Sequence, residues 1–386
     1  MSPDATHLVF DAARPRSSPA LRTVLTSLFV LFMLASAHLL MVVINAAEHA
    51  WSPPLPAEGP SARMFNDRPL AEELELLVAK ARVAEHREVL AATLARVRAG
   101  DPLEVKTLPV TRFLVWVSLL LVAAGAVLLW LSARLKSDAT QSILGIFAGN
   151  LLWTGGVEYG LVIAARALGI GKSLAVVDGA VVATYGEYVL LKHTWGPLLL
   201  IIGYIAFLES SRCPLFLWPR EKLRLMRGAT VSGRIDNYGP RSAFQYSTTV
   251  WAFYLLLLWA YDDRVAGVHS LFTQLLLVTA IAGSLYCVKR LHEQTGWGPA
   301  VRYAVGAMIV VWTPIEVLGK WGVLREPWLL LRSETLLVFF GGLALGTVWL
   351  WRAQRRAPRD TPAVPAPEAH QPPRLPPFGT RATQRV

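Results

Sequence analysis

Four ionisable side chains fall inside long apolar runs of this chain: His38, Glu158, Asp262 and Glu316. A carboxylate in hydrocarbon costs several kcal/mol unless it is paired, neutralised or hydrated, so such residues mark either a site or a locked contact. Counting about 1.5 Å per helical residue from Arg22, Gln141, Tyr246 and Arg302 puts the four at depths of roughly 24, 25, 24 and 21 Å. They therefore share one layer, in the outer half of an apolar slab about 30 Å thick. Residues 173–193 are too apolar for a free loop. Dipping back toward the slab, they would bring Glu187 and His193 to the same level, with Asp263 and His269 close by.

Three chemistries fit acids and imidazoles gathered this way. Paired carboxylates, Glu158 and Glu316, completed by His38, Asp262, Glu187 and His193, can bind and pass a small ion or solute. Interrupted helices free backbone groups for such a site, and matching Gly/Pro interruptions in two halves of a chain are its best sequence pointer. Gly155-Gly156 and Pro314 each stand just ahead of a glutamate and fit that description. The second reading is a membrane-embedded enzyme acting on a lipid or other apolar substrate. There Glu158, Glu316, His38 and His193 would hold a divalent metal such as Fe, Mn or Zn. No His-x-x-x-His spacing supports it. The third is structural: the acids pair with Arg166, Lys192 or Lys320 and fix helix packing within a scaffold for a membrane complex. Other motifs fail. Gly171-Lys172-Ser173 ends like a phosphate-binding loop, but Arg166 stands where its first glycine belongs. There is no HExxH, CxxC or GxSxG.

The elements that would carry these residues are transmembrane helices. Of 386 residues, 54% are hydrophobic and 17% charged, against about 25% charged in a soluble domain. The apolar residues come in blocks long enough to span a bilayer. Eight blocks are predicted: 23–47, between Arg112 and Arg134, 141–166, 194–208, between Arg241 and Asp262, between His269 and Lys289, 303–319, and between Glu334 and Arg352. The expected fold is all-α, a polytopic bundle of about eight helices. The first block is too long for a signal-peptide core, typically about 7–15 residues, and reads as an uncleaved anchor. Cleavage near Asn45-Ala46-Ala47 is the competing reading.

The net charge of +11 does not point to nucleic acid, because the basic residues collect at one side of the predicted spans. Residues 211–246 carry Arg212, Arg220, Lys222, Arg224, Arg227, Arg234 and Arg241, and Arg352, Arg355, Arg356 and Arg359 follow the last span. The positive-inside rule then puts both termini in the cytoplasm of a bacterial-type inner membrane. Cys213 and Cys287 fall at cytoplasmic helix ends, as reduced thiols. Residues 1–22 form a cytoplasmic segment. Residues 352–386 form a basic, Pro-rich tail that cannot bury a core.

Residues 48–108 form a periplasmic segment. Leu70, Leu74, Leu77, Ala81 and Ala84, then Leu90, Leu94 and Val97, stripe one helix over 69–99, with Pro69 at its start and Gly100 and Pro102 as its stop. That stripe lies across the bundle or pairs with a partner or a second copy. Finally, Trp153-Thr154-Gly155-Gly156-Val157-Glu158 and Trp312-Thr313-Pro314-Ile315-Glu316 share a pattern whose spacing differs by one residue. Leu198, Leu199, Gly203 and Ala206 likewise align with Leu336, Leu337, Gly341 and Ala344. Both alignments point to two parallel four-helix halves.

Overall fold

The computed structural model describes residues 18–51, 64–65, 68–81, 84–101, 110–168, 170, 173–177, 180–184, 186–207, 237–262 and 265–356. The first 17 residues, the tail beyond 356, most of the basic loop 211–246 with Cys213, and Asp263 lie outside them. The described chain is mainly helical. Its elements are α1 (Pro19–Trp51), the strand pair β1 (Met64–Phe65) and β2 (Arg68–Pro69), α2 (Leu70–Lys80), α3 (Ala84–Arg98), α4 (Arg112–Ala133) and α5 (Asp138–Leu152). A π-helical segment (Trp153–Glu158) leads directly into α6 (Tyr159–Ala167). There follow β3 (Ser173–Val177), β4 (Ala180–Thr184), α7 (Gly186–Lys192), α8 (Trp195–Phe207), α9 (Tyr238–Tyr261), α10 (Leu271–His292), α11 (Trp297–Lys320), a 3-10 turn (Pro327–Leu329) and α12 (Ser333–Arg356).

Among the described residues, six helices are long and apolar enough to cross a membrane: Pro19–Glu48, Arg112–Ala133, Asp138–Ala167, Leu271–His292, Trp297–Lys320 and Ser333–Arg355. The other two expected spans differ in kind. α8 has 13 residues, about 20 Å at 1.5 Å per residue, short of a hydrocarbon core. α9 has 24 residues, about 36 Å by the same rise, but it carries Arg241, Ser242, Gln245, Ser247, Thr248 and Thr249 in its first half.

Those polar residues are spent on a neighbour. α9 lies along α5 in the same direction: Gln141 accepts from the Tyr238 backbone N–H at 3.0 Å, Ser247 donates to Gly149 O at 3.2 Å and Tyr246 donates to Asn150 at 3.0 Å. Small residues four apart on each helix, Gly145 and Gly149 against Gly239 and Ala243, let the backbones meet. A Cβ on Gly145 would collide with the Gly239 carbonyl oxygen, and one on Gly149 would lie 2.7 Å from Ala243 O. This is the small-xxx-small contact that holds helices where lipid removes the hydrophobic drive between them.

Burial sorts the remaining helices. Within their most apolar windows, 44% of α1, 56% of α5–α6 and 50% of α11 is buried, against 17% of α4 and 11% of both α10 and α12. The first group forms the centre with α9, and the second is left with broad apolar faces for lipid. The main core joins Phe29, Met33, Tyr246, Val301, Val305 and Met308 from α1, α9 and α11. α1 runs parallel to α11 and antiparallel to α12. Thr23 meets His292, just ahead of α11, at 3.4 Å, and Ser36 donates to Phe339 O at 3.1 Å. The end of the bundle where α1 begins is called the near end below, and the opposite end the far end.

The single helix expected over 69–99 is instead two. Ala81 leaves the helical region at φ −64°, ψ 120°, and α3 folds back on α2 with Arg98 paired to Glu75. The run 173–184, expected to re-enter the membrane, is a β-hairpin pairing Ser173 with Thr184 through Val177 with Ala180. The two departures have one cause. Leu174 and Val181 of the hairpin bury against Leu70, Leu74, Leu90 and Leu94, so each apolar stripe covers the other. A straight helix would leave both bare.

Candidate functional site

The acids sort into two groups at the far half of the bundle. The first surrounds a small cavity whose lining includes Met41 and Asn45 of α1, Glu158 of the π segment, Tyr159 of α6, and Glu187 and Tyr188 of α7. Glu158 is buried and accepts from Tyr254 of α9 at 3.2 Å. The Tyr188 ring stands edge-on to Tyr254 at 6.2 Å, and Tyr159 donates to Met41 O at 3.2 Å. Glu187 is within electrostatic reach of Glu158.

The π segment is what aims Glu158. A π turn inserts one residue into the helical ladder and unpairs backbone groups locally. Its glycines admit it. A Cβ on Gly155 would sit 2.7 Å from Leu121 and 2.8 Å from the Ser118 carbonyl of α4. Ser118 donates its hydroxyl to Gly155 O at 2.7 Å, satisfying a carbonyl at the widened turn.

Glu48 and Arg166 line the cavity at its far end. Arg166 grips the buried Glu48 with both terminal nitrogens, at 2.7 and 3.3 Å. Thr111 donates to the same carboxylate at 2.5 Å while capping α4 through the Leu114 N–H. This bidentate, buried pair ties α1, α4 and α6 together.

The second group lies between α1 and α11. His38 Nε2 is 3.4 Å from Glu316 Oε1, which also accepts from Trp312 Nε1 at 2.6 Å. The His38 ring stacks on Trp312 at 5.7 Å, and Trp312 packs on Trp328 at 4.6 Å. His38 is within electrostatic reach of Glu158. Each glutamate has its own immediate partners.

Asp262 and His193 stand apart from both groups. Asp262 forms an ion pair with Lys192 at 2.5 Å, and the exposed His193 turns Nδ1 back onto Val189 O at 2.7 Å. His269 stacks on Trp321 at 5.9 Å. Among the described residues, no group of three or more His, Cys, Asp or Glu is placed to hold a metal ion.

Sequence reasoning passes over Asn45, Glu48, Tyr159, Tyr188 and Tyr254. Glu48 is legible only as the boundary of an apolar run, and Tyr254 only as an aromatic inside one. The hairpin does carry a signal: Asp178-Gly179 between two Val-rich runs is the residue pair that tight β-turns favour. No protein-family model, no curated protein and no solved structure matches the chain.

Proposed function

We propose that this chain is an eight-span membrane protein that binds a small cation in the far-end cavity and passes it across the bilayer. The observation that carries the reading is the cavity itself: three acids, Glu48, Glu158 and Glu187, line it, with Glu48 held by Arg166. A pocket lined by several carboxylates attracts a proton or a metal or organic cation. The π segment and Pro314 mark the helices able to rearrange around it.

The span count rests on direction. α9 runs parallel to α5 and beside it from Gln141 to Glu158, so it crosses whatever α5–α6 crosses. Two parallel neighbours require a return between them. α8 supplies one, since Thr194 meets Trp251 at 2.8 Å while Leu198 and Ile202 reach back toward Trp153 and Val250. Arg134, Lys136, Lys289, Arg290, Arg352 and Arg355 all sit at the near end, which the positive-inside rule assigns to the cytoplasm, here of a bacterial-type plasma membrane. The two halves gain support from the π turn. Trp153 and Glu158 are five apart where Trp312 and Glu316 are four apart, the difference that one inserted residue makes.

The metal-dependent enzyme has no ligand set among the described residues. The partner surface over 69–99 is in part covered by the chain's own hairpin. The deciding experiment is flux of protons, sodium and potassium in phosphatidylcholine vesicles holding the full chain. Wild-type protein is expected to move at least one of them, with Glu158→Gln and Glu187→Gln each reducing that flux about tenfold or more, the equivalent of about 1.4 kcal/mol. Folded variants that match wild type would end the proposal.

A further inference from the structure

We propose that the Glu48–Arg166 pair is the far-end gate of the cavity: joined, it shuts the space off from the far face, and parted, it opens it. The gate's purpose rests on the proposed transport reading; its closure does not. Position is the first support. On α1 the cavity lining runs from Met41 through Asn45 to Glu48, and on α6 from Tyr159 through Val162 to Arg166. Each column is about 10 Å long at 1.5 Å per residue. The columns meet at their near ends, where Tyr159 donates to Met41 O at 3.2 Å. They meet again at their far ends, through the bidentate pair at 2.7 and 3.3 Å. Glu48 and Arg166 are thus the outermost residues that line the space on their helices. The Glu48 side chain is 2% exposed against 17% for Arg166, so the acid is the covered member.

The surroundings let this contact part without unpacking the bundle. α1 and α6 meet through side chains rather than by close approach of their backbones. Directly before α6 stands the π segment with Gly155-Gly156, and such breaks in the helical ladder are where helices bend. α5, on the other side of that joint, is fastened. Its backbone lies against α9 at Gly145 and Gly149. Asp138, in its first turn, pairs with Arg302 of α11, which also donates to Ser142 at 2.9 Å. α6 can therefore swing while α5 stays in place. Glu48 is also provided for when Arg166 withdraws, because Thr111 still donates to its carboxylate at 2.5 Å. A buried acid that keeps one donor escapes the full cost of being left unpaired.

The test reads access to the cavity, independently of flux. Full-length protein carrying Val162→Cys, with Cys213→Ser and Cys287→Ser, is placed in phosphatidylcholine nanodiscs, which leave both faces open to a membrane-impermeant maleimide. Val162 lines the cavity one turn inside Arg166. With the pair intact, labelling is expected to be slow beside that of the denatured protein. Glu48→Gln together with Arg166→Gln removes both charges and so leaves neither buried without its partner. That change is expected to raise the labelling rate about tenfold or more, as the open fraction grows. Asp138→Asn together with Arg302→Gln, at the opposite end, is expected to leave the rate unchanged. Fast labelling with the pair intact overturns the gate, as does no rise on removing it or an equal rise on removing the near-end pair. If Val162→Cys does not fold, Met41→Cys reports on the same space. Gated labelling in a protein that moves no cation across vesicles would keep the gate and remove the transport reading.

Discussion

The two Trp–Glu segments of this protein begin alike and end differently. In α11, Trp312 and Glu316 are one α-helical turn apart, so the indole N–H closes on the carboxylate of its own helix at 2.6 Å. Between α5 and α6 the extra residue makes that turn a π turn. Glu158 accordingly takes its hydrogen bond from another helix, at Tyr254, and reaches a cavity. A single inserted residue thus separates an acid held by local contacts from one exposed to a shared space. The backbones beneath them differ too. Gly145 and Gly149 of α5 sit against α9 and Gly155 of the π segment against α4, whereas Gly306 of α11 has open space where its Cβ would be.

The largest effect expected is on the tight side of that comparison. Gly145→Leu places a branched side chain where even a Cβ would collide with the Gly239 carbonyl oxygen. Overpacking of this kind is expected to cost about 3 kcal/mol, seen as a drop in Tm and loss of monodisperse protein. Survival at wild-type Tm would mean that α5 and α9 are not so close.

Next comes the inserted residue itself. Deleting Gly156 gives the first segment the spacing of the second, so that the Trp153 indole N–H can close on the Glu158 carboxylate within one α-helical turn, as Trp312 does on Glu316. The Glu158 carboxylate then leaves Tyr254 and the cavity. Flux is expected to fall about tenfold or more, equal to about 1.4 kcal/mol, while the deleted protein still purifies as a folded species. Unchanged flux would show that the π turn does not aim the acid.

Most of the scaffold behind this comparison is legible in the sequence. Uniform apolar runs such as 113–133 declare a span by composition alone, and the helix Arg112–Ala133 matches it. The expected pairing of acids with nearby cations holds for Asp262 with Lys192. What stays hidden depends on tertiary cover. The stripe over 69–99 reads equally well as one helix or two, and only its contact with the 173–184 hairpin decides between them. The level of a candidate residue along its helix can be counted, but its azimuth cannot. His193 and Glu187 are six residues apart on one short segment, yet only Glu187 faces the cavity. A π turn also leaves no periodicity of its own over six residues, so only Gly155-Gly156 hints at it.

A smaller effect separates the two hydrogen-bond donors. Tyr254→Phe removes the donor to Glu158, and Trp312→Phe removes the donor to Glu316. Each is expected to cost about 1–2 kcal/mol, since each bond ends on a carboxyl group and leaves it short of a partner. The readouts should diverge, because Glu158 would lose its interhelical anchor and Glu316 would keep His38. Flux should therefore fall further for Tyr254→Phe at equal loss of Tm. Equal flux losses would erase the distinction between a cavity acid and a locally held one.

The smallest effect lies on the open side. Gly306 is inside α11 with nothing within 4 Å of the place a methyl group would take, so Gly306→Ala adds no clash. The substitution restricts the unfolded chain and suits a helix interior, so a gain of about 0.5–1 kcal/mol is expected. Gly149→Ala, whose Cβ would lie 2.7 Å from Ala243 O, should move Tm in the opposite direction. The opposite signs matter more than either magnitude. They would show that glycine serves α5 by letting a neighbour approach, whereas Gly306 of α11 meets no such demand. Loss of stability at both positions would instead place an unseen helix or lipid against Gly306.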